Sequence, residues 1–276
     1  MQVHPTAIVH EGAQLGTDVV IGPYCVVGPQ VRLGDGCRLH AHVLISGDTH
    51  IGPRCEFWPF AHIGGIAQDK KLTAESPQGA IRIGSDNKFR EYVTINPGTP
   101  NGVGTTTLGS NIMMLINSHI GHDVVVGDHV VMTNGAMAAG HTTIEAQAVL
   151  GALVGAHQFC RIGRLAMCAA GAMVAKDAPP FAMVQGDRAR IRGVNVIGMR
   201  RAGFSPEDVG VVKRAFRTLF WRSDPIENRL ARARETWGQH SLVAEILKFM
   251  EETKRGVLMA RGKTDAEDDK TGPSGV

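Results

Sequence analysis

The stretch VHEGAQ-LGTDVV-IGPYCV-VGPQVR-LGDGCR-L, from Val9 to Leu39, repeats every six residues, with an apolar anchor opening each unit and glycine following that anchor four times. Working outward, the anchor phase starts at Val3 and runs through Ile45, Ile51 and Phe57 to Ile63 without a miss. It resumes at Leu108 and continues through Ile120, Ala138 and Ala156 to Val174. Four residues after each anchor stands a second small or β-branched residue, as at Ala13, Val19, Cys25, Val31 and Cys37. A helix needs a period near 3.6 and a flat strand a period of 2, so a strict six predicts a short strand, a corner, then another short strand. Three such sides make a coil of about 18 residues, and coils stacked about 4.8 Å apart form a parallel β-helix around one apolar column. The period does not set the hand of the coil, and the ordinary crossover preference is right-handed.

Composition agrees with that reading. A chain of 276 residues with 43% hydrophobic side chains buries a full core, which excludes a disordered tail protein or a disulfide-stapled miniprotein. Its 34 glycines and 5% aromatics imply a core of small and β-branched groups with many tight corners. Five cysteines without a CxxC pair argue against a disulfide framework or a four-cysteine metal site, and point to a reducing compartment. The opening MQVHPTAIVH has no charged segment followed by an apolar one, and no apolar run approaches membrane-spanning length. The expectation is a cytoplasmic protein without a transmembrane segment.

Two phase breaks interrupt the repeat. Residues 65–80 (GIAQDKKLTAESPQGA) and 97–107 (PGTPNGVGTTT) are polar insertions rich in glycine and proline, predicted to leave the prism as loops gathered on one face, where binding function concentrates. Residues 1–190 are therefore read as the repeat domain. Residues 191–261 carry helical signals instead: Ser205, Pro206 and Asp208 form an N-cap, a first-turn proline and a capping-box acid, and amphipathic stretches follow near 225–237 and 241–255. Residues 262–276 are almost devoid of apolar side chains and are read as a flexible tail.

The cysteines fall on core phases and predict packing rather than chemistry. Of the 29 lysines and arginines, 18 lie beyond residue 186, with Arg188, Arg190, Arg192, Arg200 and Arg201 close together. Individually each fits a solvated face; together they suit an acidic partner or phosphates. Without a nucleic-acid motif and with few aromatics, nucleic acid is not expected. His119, His122, His129, His141 and His157 crowd the second repeat block. Residues 18 apart lie one above another, so His122, Gly140 and Gln158 share a column, Asp123, His141 and Phe159 the next, and His157 stands over Ala139. A proton acceptor, an adjacent acid and a glycine backbone N–H are the parts that acyl transfer requires.

The segments HPTAIV, IGPYCVVGP, QDKK, NSHIGHDVVVGD, AAGHTTIE, GAHQFCRIG, APPFAMVQG and GVNVIGMRRAGFS, in this order, resemble the UDP-N-acetylglucosamine acyltransferases, and the likeness spans residues 3 to about 255. The resemblance implies a mainly β protein, a left-handed parallel β-helix of hexapeptide repeats with a small C-terminal α-helical domain, assembled as a homotrimer with sites between subunits. It implies transfer of an (R)-3-hydroxyacyl chain from acyl carrier protein, an acidic donor, to the glucosamine 3-hydroxyl of UDP-N-acetylglucosamine at the start of lipid A synthesis, with no cofactor and no metal. By motif, His122 matches the general base, Asp123 its orienting acid and Gly140 the oxyanion donor. His119, His141, His157 and Gln158 match the cleft lining, and Gln68, Asp69 and Lys71 the loop from a neighbouring subunit. Asn195, Arg200 and Arg201 match the nucleotide and phosphate contacts, and Ala170 the end of the acyl groove. The chain departs from the pattern at Asn96-Pro97-Gly98-Thr99, where many members have His-Arg-Gly-Thr, and at Ile197, where glutamate is frequent. Other readings of the same residues are an acetyl-CoA-dependent transferase on this scaffold, the N-acyltransferase of a later lipid A step, a β-helical carbonic anhydrase with zinc on His119, His122 and His141, and a purely structural solenoid.

Overall fold

A computed structural model describes residues 1–73 and 75–260. Twenty-six of its strands lie along the repeat, most of them two residues long and ending on an anchor, as at Gln2–Val3, Ile8–Val9 and Gln14–Leu15. They stack into three sheets. The first begins with Gln2–Val3 and has 11 strands, the second begins with Ile8–Val9 and has 9, and the third begins with Gln14–Leu15 and has 8. Up to residue 174, neighbours within each sheet pair in parallel at a spacing of 18 residues wherever no insertion intervenes, as Val20 with Arg38 or Met137 with Gly155. The fold is a left-handed parallel β-helix. Its core is the predicted apolar column, with Ile21, Leu39, Phe57, Phe89, Met114 and Met132 stacked on one face and essentially unexposed.

Most corners place the residue three after an anchor in the left-handed region, at φ between 55° and 66° for 17 non-glycine residues. That conformation is uncommon for L-residues, and here the coil over-determines it. The residue two after an anchor has an N–H that points away from the ladder, and proline occupies it at Pro5, Pro23, Pro29, Pro53 and Pro59 without breaking a pair.

Both insertions leave at one corner, between the second and third sheets. Their ends differ from the sequence reading: Ala80 already belongs to the strand Ala80–Ile83, and 105–107 to the strand Thr105–Leu108. Polar threonines pair in register there because Thr105, Thr106 and Thr107 lie opposite Ala80, Ile81 and Arg82.

The first sheet continues past residue 190 through an antiparallel pair, Ala182–Gln185 with Arg190–Val194. Four helices follow: α1 Val196–Arg201, α2 Pro206–Phe220, α3 Ile226–Trp237 and α4 Ser241–Glu251. The capping box at α2 forms as predicted, Ser205 Oγ accepting from the Asp208 N–H at 3.0 Å while the Ser205 N–H donates to the Asp208 carboxylate at 3.1 Å. The short α1 is absent from the sequence reading, and α4 stops at Glu251 rather than 255. Buried Asp177 ties helices to prism by accepting from the Arg161 N–H and the Thr253 hydroxyl, and Arg164 makes a bidentate pair with Glu245. The expected tail, 262–276, lies outside the described residues.

Candidate active site

The corner between the second and third sheets carries His122 and Asp123 on one coil, Gly140 and His141 on the next, and Gln158 and Phe159 above them, as the 18-residue spacing predicts. His122 Nδ1 lies 2.9 Å from Asp123 Oδ2. An ionised carboxylate only accepts, so Nδ1 carries the hydrogen, and in the neutral ring Nε2 keeps a lone pair.

Asp123 is buried, and its carboxylate is wrapped by the second insertion. The Gly104 N–H donates to Oδ1 at 2.8 Å, the Thr99 hydroxyl to Oδ2 at 2.7 Å, and the Thr99 N–H to both oxygens at 3.1–3.2 Å. Burial pushes the carboxyl pKa up. The hydrogen bonds from His122, Thr99 and Gly104 outweigh it and hold the group below the usual carboxylate value. Gly102 packs so closely that a Cβ there would sit 2.3 Å from the carboxylate. The Thr106 hydroxyl accepts from the Asp123 N–H, closing the cradle.

Gly140 faces the free nitrogen. A Cβ built on it would lie 2.5 Å from His122 Nε2, so glycine is required by the imidazole and not by φ. Its N–H occupies the phase where proline recurs, and it makes no hydrogen bond among the described residues. A proton acceptor and an unused N–H donor therefore adjoin one small space.

His119 lies on the strand that leads into the corner, with Nδ1 2.7 Å from Thr94 Oγ1, and burial lowers its pKa, favouring the neutral ring. His62 stands two strands below, likewise pushed down by burial, with Gly65 folded against its ring. His141 stacks on Phe159, and His157 and Gln158 are exposed at the top of the column. His122, Asp123 and His141 place ligand-type atoms within 4.8 Å of one another. A metal there would have to displace donors from both oxygens of Asp123, and His119 is committed to Thr94, so the residues fit a histidine–acid pair better than a zinc centre.

The remaining sequence-predicted residues are not gathered at this corner within one chain. Gln68, Asp69 and Lys71 lie on the first loop, where the Lys71 N–H donates to Asp69 Oδ1, and none forms a described hydrogen bond or ion pair with the His122 corner. Asn96, buried, anchors that loop by donating to the carbonyls of Gly65 and Ile66. Asn195 is also buried; it donates to the Leu165 carbonyl and caps α1 by accepting from the Gly198 N–H. Arg200 and Arg201 are exposed in the last turn of α1, and Ile197 is exposed in its first turn. Ala170 is exposed on a different corner, between the first and second sheets.

Thiol chemistry is absent from the corner. All five cysteines face the interior. Burial pushes Cys160 up to about 11 and Cys168 to about 12. A hydrogen bond from Cys55 lowers Cys37, which is fully buried. Among the described residues, surface grooves of about 320 to 520 Å³ open elsewhere that are not lined by His122, Asp123 or Gly140. A prism corner is convex, so a cleft at His122 needs a second wall.

Stacked hexapeptide coils with a histidine–carboxylate pair at a corner define an acyltransferase of the hexapeptide-repeat class, and a bacterial transferase hexapeptide profile matches residues 12–47. The profile of the second domain of UDP N-acetylglucosamine O-acyltransferase matches residues 177–258. An acyl-[acyl-carrier-protein]–UDP-N-acetylglucosamine O-acyltransferase of Thermodesulfovibrio yellowstonii is 40% identical over 93% of this chain and 98% of its own length. The crystal structure of UDP-N-acetylglucosamine O-acyltransferase (LpxA) from Moraxella catarrhalis aligns at TM-score 0.89 and 34% identity, covering 94% of this chain and all of that one. LpxA from Acinetobacter baumannii aligns at 0.88 and 32%, with the same coverage. The chain belongs to the UDP-N-acetylglucosamine O-acyltransferase family.

Proposed function

We propose that the chain transfers an (R)-3-hydroxyacyl group from acyl carrier protein to the glucosamine 3-hydroxyl of UDP-N-acetylglucosamine, initiating lipid A synthesis in the cytoplasm. The observation that carries the chemistry is the His122–Asp123 hydrogen bond, which leaves Nε2 beside the unused Gly140 N–H. Nε2 takes the hydroxyl proton as the sugar oxygen forms its bond to the thioester carbon. The carbonyl oxygen becomes an oxyanion, to which the Gly140 N–H donates. Collapse breaks the carbon–sulfur bond, and the proton on Nε2 passes to the departing sulfur, giving ester and free carrier thiol. Transfer is direct in this reading: Nε2 acts as base toward the sugar hydroxyl, and no cysteine reaches the corner to carry the acyl group.

The site is divided between copies in a homotrimer. His122 and Ala170 stand on different corners of one prism, so a groove that runs from one to the other needs a second chain. In that arrangement Gln68, Asp69 and Lys71 reach the sugar from a neighbour, His119, His141, His157 and Gln158 line the cleft, and Asn195 sets the turn that presents Arg200 and Arg201 to phosphate. The exposed Arg188, Arg192, Arg200 and Arg201 form a basic rim for the acidic carrier, adding chiefly to the association rate. The test is a product assay with UDP-N-acetylglucosamine and hydroxyacyl carrier proteins of several lengths. A 3-O-ester formed one for one with free carrier thiol is the expected result; no ester, or transfer only from acetyl-CoA, contradicts the reading.

A further inference from the structure

Phe159 has no role in the reaction as derived so far, yet it is placed where a core has no use for it. It is 51% exposed, sits in the left-handed region at φ 65°, and lays its ring on His141 at 4.5 Å and 6° between planes. His141 stands perpendicular to His122, with ring centres 5.0 Å apart, and its backbone N–H donates to the His122 carbonyl at 2.9 Å. Its side chain makes no hydrogen bond among the described residues, so the ring is oriented by its flat stack on Phe159 and its edge contact with His122. His141 Nε2 lies 4.0 Å from Asp123 Oδ2, just beyond hydrogen-bond reach of the oxygen that accepts from His122. A small rotation of a free His141 ring brings a second N–H donor to that oxygen, in competition with His122.

We infer that Phe159 is a positioning residue: by holding the His141 ring flat, it keeps His141 from capturing Asp123 and so preserves the His122–Asp123 pair. The inference rests on His122 being the base. The molecule contains its own control, because His42 and Phe60 stack in the same way, at 5.1 Å and 10°, on a corner whose own histidine–acid pair, His40–Glu56, involves neither of them. Phe60 is 48% exposed at φ 66°, so loss of either ring has a similar structural cost.

The experiment compares Phe159→Leu, Phe159→Tyr and Phe60→Leu in the full chain, with steady-state kinetics and melting temperatures. Phe159→Met serves as a second non-planar replacement. Phe159→Leu is expected to lower kcat about tenfold, the size of a lost ring–ring contact expressed wholly in the reaction. Both KM values should stay within about twofold, and its melting temperature should match that of Phe60→Leu, which keeps full kcat. Phe159→Tyr retains a flat ring and should stay near wild type. In a His141→Ala background Phe159→Leu should add nothing, the mark of an effect exerted through His141. Unchanged kcat, a raised donor KM at unchanged kcat, or additive losses in the double variant overturns the inference. A fully active His122→Ala overturns the base assignment itself; an inactive His122→Ala beside an unaffected Phe159→Leu removes this inference alone.

Discussion

Two corner columns of the prism use the same backbone and differ in what was added to them. Between the first and second sheets, Tyr24, His42, Phe60 and Tyr92 stack ring on ring at 5.0 to 5.1 Å, half exposed and without a carboxylate. Between the second and third sheets, Asp123, His141 and Phe159 occupy equivalent left-handed positions. There, however, the coil below opens into the 97–104 excursion, and Thr99 and Gly104 turn back to hold Asp123. The repeat supplies columns at every corner. An interruption of the repeat gives one of them the buried carboxylate of the proposed site, because a buried, hydrogen-bonded carboxylate needs donors that a regular coil does not provide.

The largest effect that probes this contrast is removal of the carboxylate. Asp123→Asn should lower kcat roughly 10- to 100-fold, less than loss of the imidazole, since orientation goes while the ring remains. The same variant has a signature in stability. The Asp123 pKa is depressed in the folded chain, so the group stabilises the fold above the unfolded value and loses that contribution as pH falls through the folded one. Melting curves taken below about pH 4 should therefore fall more steeply for the wild type than for Asp123→Asn.

A smaller effect sharpens the role of the other corner. Ala170→Met should move the preferred donor to a shorter chain with the sugar KM nearly unchanged. Two methylenes that no longer fit cost about 1.6 kcal/mol, somewhat more than tenfold in donor preference. An unaltered donor ranking in an active variant places the end of the groove elsewhere. Smaller again is the signal from mixed trimers of His122→Ala and Asp69→Ala chains. If a site takes these residues from different copies, random mixing leaves about one site in four intact, and activity should recover to that level. Activity no higher than in either parent, with mixed trimers verified, assigns the whole site to one chain.

Most of the fold was legible because the hexad states strand length, corner and stacking at once. The column of His122 with Gly140, and of Asp123 with His141 and Phe159, followed from adding 18, since no insertion interrupts residues 108–174. Across the insertions that rule fails. Thr94 lies beneath His119 although 25 residues separate them, and Thr99 and Gly104 reach Asp123 from 24 and 19 residues away. Loop closure is set by hydrogen bonds that periodicity does not encode. The helix α1 escaped for another reason: six residues including two β-branched side chains and a glycine have little intrinsic helicity, and Asn195 nucleates the turn by capping it. Asn195 itself matched by motif, but its buried amide is engaged at both ends within the chain.

That one column carries the chemistry and the other only structure is tested most directly by paired substitutions at His122 and His42. Steady-state kcat is measured for His122→Ala and His42→Ala, each checked for an unchanged fold. The predicted result is a loss of about 10²–10⁴-fold for His122→Ala, the range of a general base, and wild-type turnover for His42→Ala. A folded His122→Ala enzyme that keeps more than about a tenth of wild-type kcat, well short of that range, contradicts it.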